Sequence, residues 1–81
     1  MSTPVVVLDT RGLEPPEPLV RILEALHNLP PEAEIHAHTD RRPMHLYPML
    51  GSRGFQGETQ PADDSGFLTV IRRIARAETA P

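Results

Sequence analysis

Val5-Val6-Val7-Leu8-Asp9-Thr10-Arg11-Gly12-Leu13-Glu14-Pro15-Pro16-Glu17-Pro18 decides the architecture of this 81-residue chain. Its first four residues are an unbroken apolar, mostly β-branched run, which reads as a buried strand. Asp9 and Gly12 are turn residues and close it. The prolines that follow do not break a helix if they sit in its first turn, whose N–H groups have no intrahelical acceptor. Beyond them Leu19, Ile22, Leu23 and Leu26 recur at i, i+3, i+4 and i+7, one apolar helical stripe. Glu17 and Arg21 pair at i, i+4 on another face. Residues 28–31 stop that helix.

Downstream the period changes to two. Ala33, Ile35, Ala37 and Thr39 alternate with Glu34, His36, His38 and Asp40, as in a half-buried strand. A second helix is expected near Pro43, with Asp40 or a neighbour as its cap and Leu46, Tyr47, Met49 and Leu50 as its apolar positions. Pro48 restricts its regular part, and Gly54 suits the residue just past its end. Residues 55–60 and 67–71 read as two strands joined by the turn-rich segment 61–66, although Val70, Ile71, Ile74 and Ala75 also fit a helical stripe. The resulting order is βαβαββ. Strand–helix–strand units favour parallel pairing, so the expected fold is a two-layer α+β sandwich. It would have a four-stranded mixed sheet with two helices on one face. The chain reads as a single domain over 1–81, ordered from about 4 to 74, with residues 77–81 frayed.

Composition narrows the chemistry. There is no cysteine, which excludes a disulfide framework, a thiolate zinc site and a cysteine nucleophile, and which fits a reducing cytoplasm. All eight basic residues are arginine and the net charge is −3. Nucleic-acid binders show a basic surplus, so no nucleic-acid partner is expected, and Arg41-Arg42 and Arg72-Arg73 read mainly as solvated edges. The short apolar run near the N-terminus is neither a signal peptide nor a membrane span.

The first motif, taken with the element order, resembles the signature of the TusA/SirA-like sulfur carriers, Leu-Asp-x-x-Gly-Leu-x-Cys-Pro-x-Pro. Asp9, Gly12, Pro16 and Pro18 match it. Asp40, Pro43, Pro48 and Gly54 add weaker matches, and the likeness covers roughly residues 5–72. The position of the family's sulfur-carrying cysteine falls on Pro15, which has no nucleophile. The chain is more narrowly similar to a cysteine-less branch of small bacterial domains with Gly-Leu-Glu-Pro-Pro-Glu-Pro and Pro-x-x-Leu-Tyr-Pro-x-Leu stretches. That resemblance implies an accessory or regulatory role beside redox or nitrogen-oxide proteins, without sulfur transfer by the chain itself.

Three functions compete. A non-catalytic binding module is expected to dock a partner, or a second copy, through the sheet face that no helix covers. Val6 or Val7 with Phe67 and Ile71 would make that face partly apolar. A metal-binding or metal-delivery domain would use His36 and His38, two residues apart on one strand face, with Asp40 and a folded-back His45. Such a donor set suits Zn²⁺, Cu²⁺ or Ni²⁺. An RNA-binding domain is disfavoured by the acidity. Asp9 reads as a partner for turn N–H groups or Arg11. Arg41 and Arg42 read as an anion site only if they act with the second helix. Met44, Tyr47 and Met49 read as core or interface side chains.

Overall fold

A computed structural model describes residues 3–63 and 65–74. The expected frayed tail, 77–81, lies outside them. The elements are β1 (Val5–Asp9), α1 (Glu17–His27), β2 (Glu34–Thr39), α2 (Leu46–Ser52), β3 (Phe55–Pro61) and β4 (Phe67–Arg73). The four strands form one sheet in the order β1-β2-β4-β3. β1 runs parallel to β2, and β4 is antiparallel to both β2 and β3. β4 is therefore threaded between two strands that precede it in the chain. No helix among the described residues is long and apolar enough to cross a membrane.

Alternation in β2 fixes the two faces. Ile35, Ala37 and Thr39 are buried, while Glu34, His36 and His38 are half-exposed. Paired residues of neighbouring strands share a face. The register thus puts Val6, Leu8, Thr69, Ile71, Phe55 and Gly57 on the inner side. Ile22 and Leu26 of α1 and Leu46 and Leu50 of α2 close the core over that side. Gly57 fits tightly there: a Cβ would meet Leu50 Cδ1 at 2.9 Å and Thr69 Cγ2 at 3.3 Å, so those side chains would have to shift. Gly66 has φ +72°, and a Cβ on it would collide with the Thr39 carbonyl oxygen.

Helix ends follow their local chemistry. Pro18 sits in the first turn of α1, where it costs no hydrogen bond. Pro48 falls in the first turn of the seven-residue α2 for the same reason. Arg53 caps that helix, and Gly54 follows at φ +83°, as its position suggested.

Three expectations are corrected. The run 5–8 is not buried on both sides: β1 is an edge strand, and Val5 and Val7 are 44% and 65% exposed on the face no helix covers. That face does not carry Val6, Phe67 or Ile71, which lie on the inner side. It carries Val5, Val7, Leu68 and Val70 around Glu34, His36, His38 and Arg72. Arg73 is exposed but is more than a solvated edge. Its guanidinium stacks 4.8 Å from the Phe55 ring centroid and donates to the carbonyls of Leu29 (2.8 Å) and Pro31 (3.1 Å). It thereby holds the α1–β2 connection to the end of β4.

Candidate functional site

Two loops leave the same end of the sheet. One runs from β1 to α1 through Thr10–Pro16, and the other from β2 to α2 through Asp40–His45. Thr10 is buried and its N–H and hydroxyl both donate to the His38 carbonyl, at 2.9 and 2.7 Å. The buried Thr39 hydroxyl donates to the Arg41 carbonyl at 2.6 Å. The Gly12 N–H donates to Asp40 Oδ2 at 2.7 Å and ties the two loops together. A carboxylate acceptor makes this a strong neutral-donor bond.

Between the loops lies a half-open groove of about 930 Å³. Its α1 wall holds Leu13, Pro15, Pro16 and Leu19, and its opposite wall holds Arg41, Pro43, Met44 and His45. Met44 is 62% exposed, and Leu13 is also exposed. Prolines supply no N–H, so both walls recognise by side-chain packing more than by backbone bonds. Arg42 also lines the groove, with its guanidinium 5.0 Å from the Phe67 ring centroid.

The predicted residues separate into two places. Asp9, Gly12, Pro15, Pro16 and Pro18 build the β1 end and the groove wall. Asp40 and His45 also line the groove. His36 and His38 instead face outward on the uncovered side of β2. The four suggested metal ligands therefore do not form one set, and no group of three or more His, Cys, Asp or Glu among the described residues could hold a metal ion. Asp40 does not cap α2. His45 is the residue before that helix and its side chain makes no capping bond. With only seven residues, α2 offers Arg41 and Arg42 no lasting N-terminal anion site.

The histidine side has its own order. His36 Nε2 lies 2.8 Å from Glu34 Oε1, and Arg72 Nη2 lies 3.6 Å from the same oxygen. The His36 hydrogen bond, helped by Arg72, holds the Glu34 carboxyl below the usual range against the opposing effect of its burial. The Tyr47 hydroxyl bonds to Thr59, whose oxygen lies 2.7 Å from the Thr69 hydroxyl. This half-buried hydroxyl chain was invisible in sequence, since its members come from three elements.

Asp9 behaves as expected from its turn. Arg11 reaches it with Nε at 2.9 Å, Nη2 at 3.0 Å and its own N–H at 3.2 Å. The guanidinium bond, then the N–H bond, pull the Asp9 carboxyl from 3.8 to about 2. A depressed carboxyl stabilises the fold above its unfolded value and loses that contribution as pH falls from about 4 to about 2. Arg11→Met is expected to raise Asp9 part of the way from about 2 toward 3.8 in a carbon-detected NMR titration, because the N–H bond at residue 11 remains. A carboxyl still titrating near 2 would remove the guanidinium as the cause.

The fold is of the SirA/TusA-like class. It matches the crystal structure of the SirA-like protein from Desulfitobacterium hafniense with a TM-score of 0.66 and 22% identity, covering 88% of this chain and 100% of that one. Residues 7–73 match the family described as "Uncharacterized conserved protein (DUF2249)", and the chain belongs to that family. Nothing among the curated proteins matches it.

Proposed function

We propose that this chain is a non-catalytic accessory module that holds an extended, apolar segment of a partner protein in the groove between α1 and the β2–α2 loop. The observation that carries this reading is Pro15. It stands exposed on the groove wall at the position where the sulfur-carrier signature has its cysteine. Polar groups of the groove already have structural work: Gly12 and Asp40 tie the two loops together, and the Thr39 hydroxyl holds the Arg41 carbonyl within its own loop. What the groove offers a ligand is apolar contact from Leu13, Met44 and the prolines, bordered by Arg41 and Glu14. Met side chains adapt to irregular apolar partners. The sequence resemblance points to redox or nitrogen-oxide proteins as the partner class.

The test is co-purification from the native host with wild type, Met44→Arg and Leu13→Glu, each checked for fold by circular dichroism. A specific partner bound by wild type and lost at least tenfold in both variants supports the groove. A partner retained equally by both variants, or sulfane sulfur passed on by the wild-type chain alone, would overturn the proposal. The metal alternative has its own signature: affinity for Zn²⁺, Cu²⁺ or Ni²⁺ that disappears in His36→Ala/His38→Ala.

A further inference from the structure

Among the described residues β1 is an open edge, of a kind that proteins usually block. In a parallel strand the N–H and C=O of one residue point to the same side, and successive residues alternate. The Thr10 N–H donates to the His38 carbonyl, and the Pro4 carbonyl accepts from Glu34, so the even-numbered residues face β2. Val5, Val7 and Asp9 therefore direct three N–H and three C=O groups away from the sheet. Within Val5–Asp9 there is no proline, lysine or bulge, and the one charged residue, Asp9, lies at its end and is held by Arg11. The opposite edge, β3, contains Gly57 and ends in Pro61.

We propose that β1 pairs antiparallel with β1 of a second copy of this chain, about a two-fold axis through Val7, to make one continuous eight-stranded sheet. The edge is self-complementary in that register. Val7 faces Val7 of the other copy, and Val5 faces Asp9, so all six outward backbone groups of each copy find partners. On the inner side Val6 comes opposite Leu8, two side chains only partly buried within one copy. On the outer side the exposed Val5 and Val7 come under cover. Antiparallel pairing also keeps the two Asp9 carboxylates about 13 Å apart, at four strand steps. Above the edge, the α1 flank turned away from α2 carries the exposed Val20 beside Leu23, Glu24 and His27 around a shallow cavity of about 330 Å³. Two such flanks meet across the same axis. This surface is separate from the groove, so either can fail without the other.

The test uses the absence of native cysteine. In sedimentation velocity the wild-type chain is expected to reach twice its single-chain mass as concentration rises to about 1 mM. Val7→Lys is expected to abolish this with an unchanged circular dichroism spectrum, because it places two ammonium groups at the axis. Val7→Cys is expected to form a covalent dimer on mild oxidation, since directly bonded antiparallel pairs have Cα atoms about 5.5 Å apart, within disulfide reach. Val5→Cys, whose copies would be about 13 Å apart, is expected to remain single. A single-chain mass throughout, a Val7→Lys dimer, a Val7→Cys chain that links only to another protein, or equal behaviour of the two cysteine variants would overturn the proposal.

Discussion

Pro15→Cys is expected to take up one equivalent of a thiol reagent where the wild-type chain takes up none, and to carry a persulfide after exposure to a sulfane-sulfur donor. Position 15 is exposed, lines the groove and lies two residues before α1 begins. A thiol there sits near the positive end of the helix, which favours the thiolate that reacts. Glu14 and Glu17 oppose that effect, but as partly exposed carboxylates they are well screened. The thiol should therefore titrate no higher than the ordinary value of about 8.5. The readouts are reagent stoichiometry, a pH profile of the alkylation rate, and mass spectrometry of the loaded chain. A thiol that titrates well above that value and reacts slowly would mean that the groove does not activate a sulfur at that position. A reactive one would show that the side chain at position 15 alone keeps the groove from that chemistry.

Leu50→Ala is expected to be the most damaging simple truncation, at the upper part of the range of about 2–5 kcal/mol for a buried leucine. Domains of this size have only about 5–15 kcal/mol in all. Leu50 is 1% exposed and its Cδ1 lies where a side chain of Gly57 would begin. The void left by the truncation thus opens onto a residue with no side chain to fill it, with Thr69 and Ile71 at its border. Gly57→Ala alone should also destabilise, by about 1–3 kcal/mol, through overpacking. Combined, the two should be less harmful than their sum, because the new methyl occupies part of the new void. Urea unfolding of all four chains measures this. Simple additivity would show that the two residues do not share the space the structure gives them.

The fold was legible wherever the pattern was local. β2 announced its two faces through strict alternation, α1 through its stripe, and the end of α2 through Gly54. Local pattern failed where the outcome depended on distant pairing. A run such as Val5–Leu8 looks the same whether it lies in the middle of a sheet or at its edge. The face carried by Phe67 and Ile71 depends on hairpin register, and a one-residue shift reverses every side chain. Asp40 had a plausible local role as a cap, but its oxygen went to Gly12, 28 residues earlier. Arg73 likewise found carbonyls more than 40 residues away. Of the site, the Pro15 wall was readable from the motif. The facing wall, with Met44 at its lip, required the second loop to be placed. The histidines were correctly set on one strand face, but nothing in their spacing showed that Asp40 and His45 would be elsewhere.

The placement of β4 has a bearing on how the protein is made. Of the four strands, the one that bridges the two halves of the sheet is the last in chain order and so the last of them to be synthesised. Until it emerges, a nascent chain can join only its first two strands, while the Phe55–Pro61 segment has no neighbour to bind. Closure must then occur in one late event, which links distant stretches and is correspondingly slow to start.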